Sequence, residues 1–323
     1  MNIRHIVVFA VGCIALVSCG GSRHETTEKY VLVAANKSVP YWKTATEGLI
    51  RSAKDIGVNA EIVGPDNYDP AAQHAAFQKS IGEKVTGILV SVSDAQALQP
   101  DIDAAMQAGI PVITVDSDAP ASKRLLFIGT NNYQAGLTGG KLAAKLTGGK
   151  ANVVIYTMPN QLNLEERLHG YKDGFPGMNI VRVVDIKGDP TVAFDTTMDI
   201  TKQDKSKVDT FICLEALACK EVAGVLTRQN VTGKTVIAMD TDRDVLDFIK
   251  KGTIAATIAQ KPYTMAYFGV RLLDDLHHDK TFQSGIGTVH ATLPAFVDTG
   301  SILIDKTNVD DFMKSPEATT TAQ

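Results

Sequence analysis

No basic stripe runs through this 323-residue chain, whose formal net charge is −4, and that balance argues against a nucleic-acid partner. Beyond residue 17 no second long apolar run follows, so nothing past the amino terminus is expected to cross a bilayer. The signatures of common α/β catalysts are missing too. Where a dinucleotide fold carries G-x-G-x-x-G after its first strand, this chain reads "AANKSVPYW". The glycine-rich "GLTGGKLAAKLTGG" (136–149) lacks the G-x-x-x-x-G-K-[ST] spacing of a phosphate loop, and no G-x-S-x-G elbow occurs. The histidines are scattered, and His277-His278 reads as a solvated helix end. With no His or Cys pair at ligand spacing, no catalytic residue, cofactor or metal is expected.

The amino terminus does hold an export signal. Arg4 and His5 precede an apolar stretch, Ile6 to Val17, that is too short and too early for an ordinary spanning helix. It ends in "LVSC", Leu16 to Cys19, followed by Gly20, Gly21 and Ser22, and closely resembles a bacterial lipobox in which cleavage exposes Cys19 for lipidation. Residues 1–19 are therefore read as the signal and 20–28 as a polar tether, with the protein held in the periplasm or at the cell surface by a lipid. Cysteine is scarce, with four in the chain: Cys13 falls in the signal and Cys19 takes the lipid. Export permits a disulfide between Cys213 and Cys219, and a buried strand suits Cys213 as a free thiol; the spacing leaves both open.

With 44% hydrophobic and 21% charged residues, the chain is globular and long enough for two domains. Short apolar runs alternate with helical patterns. "KYVLVAA" (29–35), "AEIVG" (60–64), "TGILVSV" (86–92) and "IPVITVD" (110–116) predict strands, with helices near Tyr41, over 70–83 and over 94–108 between them. That order implies βαβ units and a parallel sheet. The series then restarts with "ANVVIYT" (151–157), "NIVRVVDI" (179–186), "VDTFICL" (208–214) and "TVIAMD" (235–240). "VITVDSD" at 112–118 matches "VIAMDTD" at 236–242, an offset of 124, and two earlier strands align at offsets of 123 and 122. Two lobes of one design follow from this near-constant spacing. If both sheets turn their carboxyl edges to a common cleft, Asp116 and Asp240 face each other there, where ligands of open α/β sheets bind. Opposed carboxylates suit hydroxyls and repel anions. Either aspartate instead capping the next helix is the other reading.

These residues are similar to the sugar-binding family of periplasmic binding proteins, the ribose-binding type in particular, from about Lys29 to about Lys306. The resemblance rests on "PYWKTATEGLIRSAKDIGV", "GIPVITVD", "FIGTNNYQAGLTGGKLA", "ERLHGYKDGF" and "GTIAATIAQKP", in family order. It implies an α/β fold of two Rossmann-like lobes with parallel sheets, joined by three crossings near 129–132, 259–262 and 293–298. The first lobe would hold 29–131 and 261–294, the second 132–260 and 295–314, with 315–323 a disordered tail. It further implies that Tyr41 and Trp42 stack on a sugar face, with core packing the alternative for either ring. Asp116 and Asp240 would accept hydroxyl hydrogen bonds. Arg167 would donate to vicinal hydroxyls unless it forms a surface ion pair, and Gln260 would bind at the hinge. Three positions depart from the ribose pattern. Ser117 replaces an Arg, Val39 an Asn before Pro, and Leu214-Glu215 an Asn-Asp pair. Glu215 either substitutes for part of that set or has a helix-capping or surface role. The ligand thus stays open among a different pentose or hexose, a sugar alcohol or another small polar molecule. The expected function is capture of such a ligand by a monomeric lipoprotein and delivery to an ABC transporter permease. A sensor subunit presenting the ligand to a chemoreceptor or kinase is the alternative. A sugar-responsive repressor would need a DNA-binding module where the leader stands.

Overall fold

The computed structural model describes residues 24–25, 27–203, 207–278 and 293–315. The expected signal, lipobox and Cys19 lie outside them, as does the tail beyond residue 315. In the first lobe β1 (Lys29–Val33), α1 (Pro40–Ile56), β2 (Asn59–Val63), α2 (Pro70–Gly82), β3 (Gly87–Val90), α3 (Ala95–Gln107), β4 (Val112–Val115) and β5 (Phe127–Gly129) follow in turn. The second lobe holds α4 (Asn132–Leu146), β6 (Ala151–Thr157), α5 (Leu162–Gly174), β7 (Met178–Asp185), α6 (Pro190–Gln203) and β8 (Thr210–Cys213). It continues through α7 (Ala218–Arg228), β9 (Thr235–Met239), α8 (Arg243–Lys251) and β10 (Ala256–Ala259). The chain then returns to the first lobe with α9 (Pro262–His278) and β11 (Phe296–Asp298), and ends in the second with β12 (Ile302–Asp305) and α10 (Val309–Phe312).

The two sheets share one strand order. It is β2-β1-β3-β4-β5-β11 in the first and β7-β6-β8-β9-β10-β12 in the second, so β4 and β9 are equivalent. All pairings are parallel except β12 against β10, which is antiparallel. Because side chains alternate along a strand, β1 feeds two layers. Tyr30 and Leu32 pack with Leu49 of α1 and Val270 of α9, whereas Val31 and Val33 pack with Phe77 of α2 and Leu98 of α3. The second lobe repeats this, with Tyr156 facing α6 and α7 and Ile155 facing α4 and α5. Helix starts follow local chemistry. Asp94 accepts from the N–H groups of Gln96 and Ala97 at 3.0 Å each, and Pro70 begins α2 behind the capping Asp69.

Two expectations change, and one open alternative is decided. Phe296–Asp298 pairs with Phe127–Gly129, so residues 295–298 belong to the first sheet and the third crossing falls at 299–301. Three residues of alternating pattern are too short a signal to assign to either sheet. The described end of the expected tether is not free: Glu28 is buried and His24 bonds Asp274 of α9. Cys213 and Cys219, whose state the spacing left open, form a disulfide with Cα atoms 5.8 Å apart.

Close helix contact sets the second lobe's frame. A Cβ on Gly136 of α4 would run into the carbonyl oxygen of Arg167 on α5, and one on Gly170 into that of Tyr133. Gly136→Ala should therefore lower stability by about 1–3 kcal/mol, the usual cost of overpacking, read from denaturant unfolding. An unchanged midpoint would show that the α4–α5 contact is not tight.

Candidate ligand-binding site

Asp116 and Asp240 each follow the last residue of equivalent strands, and both hold left-handed backbone, with φ of 63° and 67°. Asp is among the few residues that visit this region, and such strain collects at ligand sites. The turn aims both carboxylates at the space between the lobes. Helix capping does not explain them. That task falls to the second acid of the repeated motif, since Asp242 accepts from the Asp244 N–H at 2.9 Å and caps α8. In the first lobe the equivalent Asp118 instead pairs with Arg124.

One cavity, partly open to solvent, brings the sequence-predicted residues together. Tyr41, Trp42 and Asp116 line it from the first lobe, Arg167, Glu215 and Asp240 from the second, and Gln260 from the second crossing. Tyr41 Oη donates to Asp116 Oδ1 at 2.8 Å, and Ser91 Oγ donates to Oδ2 at 2.8 Å. Tyr41 is thus a hydrogen-bonding partner as well as a ring. Trp42 is only 6% exposed and packs into the core while lining the cavity, so both readings of this ring hold in part.

Arg167 is buried, and among the described residues it forms no surface ion pair. Its Nε and Nη2 donate to Asn132 Oδ1 at 3.0 and 2.6 Å, Nη2 also reaches Gln260 Oε1 at 3.1 Å, and Nη1 donates to the carbonyl of Leu214. Most of the guanidinium fork is therefore held by the protein. Gln260 Nε2 in turn donates to Asp240 Oδ1 and Oδ2 at 3.1 and 3.3 Å. Glu215 lines the cavity but caps α7, accepting from the N–H groups of Leu217 at 2.5 Å and Ala218 at 3.1 Å.

Sequence reasoning missed Ser91, Asn132 and Tyr68. Ser91 directly follows β3, and strand-end position was the available signal. Asn132 sits in the quoted "FIGTNN" run. Tyr68 lines the cavity from the loop after β2, and its side chain meets Gly188 of the opposite lobe, where any Cβ would collide with it.

The family model of the periplasmic binding protein domain matches residues 30–281. The chain belongs to this family. Among its relatives, the ribose import binding protein RbsB of Bacillus subtilis is 26% identical, over 76% of this chain and 81% of its own. Among solved structures, AraP, an arabinose-binding protein of Geobacillus stearothermophilus, is 35% identical with a TM-score of 0.73, covering 88% of this chain and 99% of that one. An ABC transporter solute-binding protein of Burkholderia graminis, solved with D-arabinose, is 27% identical with a TM-score of 0.79, over 88% and 96%. These relatives are binding proteins, not enzymes. The two lobes have the type I periplasmic binding protein fold.

In this binding protein the acidic groups of the cleft are buried. Burial pushes the Asp240 carboxyl up to about 6 against the opposing pull of Arg167 and Gln260, and pushes Glu215 up to about 7 despite its two backbone donors. Asp116 is raised by burial too, with Tyr41, Arg167 and Ser91 opposing. Groups with raised native pKa values stabilise the fold fully below their unfolded values and lose that contribution as pH rises through the native ones. Melting temperature of the unliganded protein should therefore fall between about pH 4 and 7. Asp240→Asn, which tolerates the same left-handed backbone, should flatten the part of that fall below about pH 6. A melting temperature that rises across this window in the unsubstituted protein would contradict the assignment.

Proposed function

We propose that this chain is an extracytoplasmic receptor that captures a neutral sugar or related polyol between its lobes and hands it to an ABC transporter permease. The observation that carries this reading is the pair of strand-end carboxylates, one from each lobe, on one cavity beside Tyr41 and Trp42. The carboxylates Asp116, Asp240 and Glu215 outnumber the single guanidinium of Arg167, so an anionic ligand is repelled. Hydroxyls instead donate to the carboxylates, and the aromatic rings face the apolar C–H surface of the sugar ring. A ligand touching both lobes favours the closed state by its differential affinity for it. The names of the relatives, ribose import and arabinose binding, support the sugar class.

Anchoring by lipid at Cys19 would keep the receptor near its permease, and a monomer suffices for the task. No described helix is long and apolar enough to cross a membrane. The departures from the ribose pattern bear on the choice of sugar. Ser117 Oγ is buried without a hydrogen-bond partner, Val39 lines the cavity, and Glu215 is occupied by its capping bonds. A ligand other than ribose fits this altered set.

A thermal-shift screen of the purified protein against pentoses, hexoses and polyols tests the class, since a ligand that binds only the folded form raises the melting point. Sugars should raise it and amino acids or nucleosides should not; the reverse pattern overturns the proposal. With the responding sugar, Trp42→Ala and Asp240→Ala should each weaken binding by about 1–3 kcal/mol in titration calorimetry. Unchanged affinity in both would remove the cleft from this role.

A further inference from the structure

Four side chains with ligating atoms converge at the far edge of the first sheet from the cleft. Glu28 immediately precedes β1, while Asp274 and His278 stand one turn apart at the end of α9. That helix begins beside the cleft at Pro262 and its 17 residues carry the chain about 25 Å away. His24 completes the group from the amino-terminal segment. The ligating atoms of all four lie within 4.8 Å of one another. His24 Nε2 is 3.1 Å from Asp274 Oδ2, and His278 Nε2 is 3.1 Å from Glu28 Oε2 and 3.5 Å from Asp274 Oδ1. With metal–ligand bonds of about 2.0–2.1 Å, the edges of a tetrahedral site measure roughly 3.3 Å. These three separations bracket that edge, and the remaining pairs lie within 4.8 Å.

Charge points the same way. Glu28 and Asp274 are 5% and 3% exposed, and carboxylates buried together need a compensating cation. A divalent metal supplies that charge while taking imidazole and carboxylate ligands together. Outer hydrogen bonds already orient the donors. The Tyr30 hydroxyl donates to Asp274 Oδ1 at 3.3 Å, and the Glu25 N–H donates to Glu28 Oε1 at 2.8 Å.

We propose that His24, Glu28, Asp274 and His278 form a binding site for one divalent transition cation of the zinc type, held by two imidazole nitrogens and two carboxylate oxygens. Nitrogen donors favour such a metal over calcium or magnesium, which prefer oxygen alone. The sequence hid the site because its ligands come as His-x-x-x-Glu and Asp-x-x-x-His, 250 residues apart, and not as a His or Cys pair. His278 is accordingly no solvated helix end. The cation would clasp the amino-terminal segment to α9. His24 lies five residues past Cys19, so in a lipid-anchored protein the clasp shortens the free tether between membrane and lobe. That consequence rests on the anchoring proposed above; the metal site does not.

The test is titration of the chelator-treated protein, without a polyhistidine tag, with Co²⁺ followed by visible absorption and with Zn²⁺ followed by calorimetry. One Co²⁺ per chain should give the d–d bands of a four-coordinate site, and Zn²⁺ should displace it. His278→Ala and His24→Ala should each weaken Zn²⁺ binding at least about tenfold, and Tyr30→Phe about 10–100-fold through lost orientation. The exposed His169→Ala should leave it unchanged. Circular dichroism without metal checks that each variant is folded, and His24→Ala, outside any helix or strand, keeps the test open if His278→Ala unfolds. Absence of saturable binding, binding that survives both His24→Ala and His278→Ala, or preference for Ca²⁺ or Mg²⁺ would overturn the proposal.

Discussion

Two buried carboxylates, each presented by a left-handed residue at the end of an equivalent strand, are the constraint around which the rest of this structure is arranged. Neither is stable in a buried position without partners. Asp116 is held by the hydroxyls of Tyr41 and Ser91, and Asp240 by the amide of Gln260, which is itself held by Arg167. The two networks differ in their reach. The first stays within one lobe, whereas the second runs from Asn132 at the first crossing through Arg167 to Gln260 at the second. The arginine thereby links the binding surface to the chain segments about which the lobes would turn.

The packing serves this placement. Arg167 sits on α5, and the glycines of α4 let that helix approach until it touches the arginine's own carbonyl. At the crossings themselves, the Asn131 N–H donates to Asp298 Oδ1 at 3.1 Å and the Thr299 N–H to the Gly129 carbonyl at 2.8 Å, so the first and third strands of the hinge are bonded together. The disulfide between Cys213 and Cys219 closes the loop that carries Glu215 and Leu217 into the cavity. Binding surface, hinge and loop are thus tied to one another through few, named contacts.

Most of the scaffold was legible in the sequence because buried parallel strands read as continuous β-branched runs, and because duplication made Asp116 and Asp240 stand out at a fixed offset. Of the seven candidate cleft residues, Asp116 and Asp240 stood out at the repeated strand ends, while Tyr41, Trp42, Arg167, Glu215 and Gln260 came from the resemblance to the sugar-binding family. Their division of labour was not legible. That Tyr41 donates to Asp116, that Arg167 spends its fork on Asn132 and Leu214, and that Glu215 caps α7 depend on side-chain direction, which spacing does not encode. The third crossing was misplaced because Phe296–Asp298 is a three-residue edge strand whose partner, Phe127–Gly129, lies far away in sequence. The cluster of His24, Glu28, Asp274 and His278 was invisible for the same reason, being assembled from the two ends of the first lobe.

The central claim is that one neutral guest is gripped by acidic strand ends of both lobes at once. A crystal structure of the complex with whichever sugar or polyol most stabilises the protein tests it most directly. The account predicts ligand hydroxyls at hydrogen-bond distance, about 2.5–3.0 Å, from carboxylate oxygens of both Asp116 and Asp240. A ligand seated outside this cavity, or touching the carboxylate of only one lobe, would contradict it.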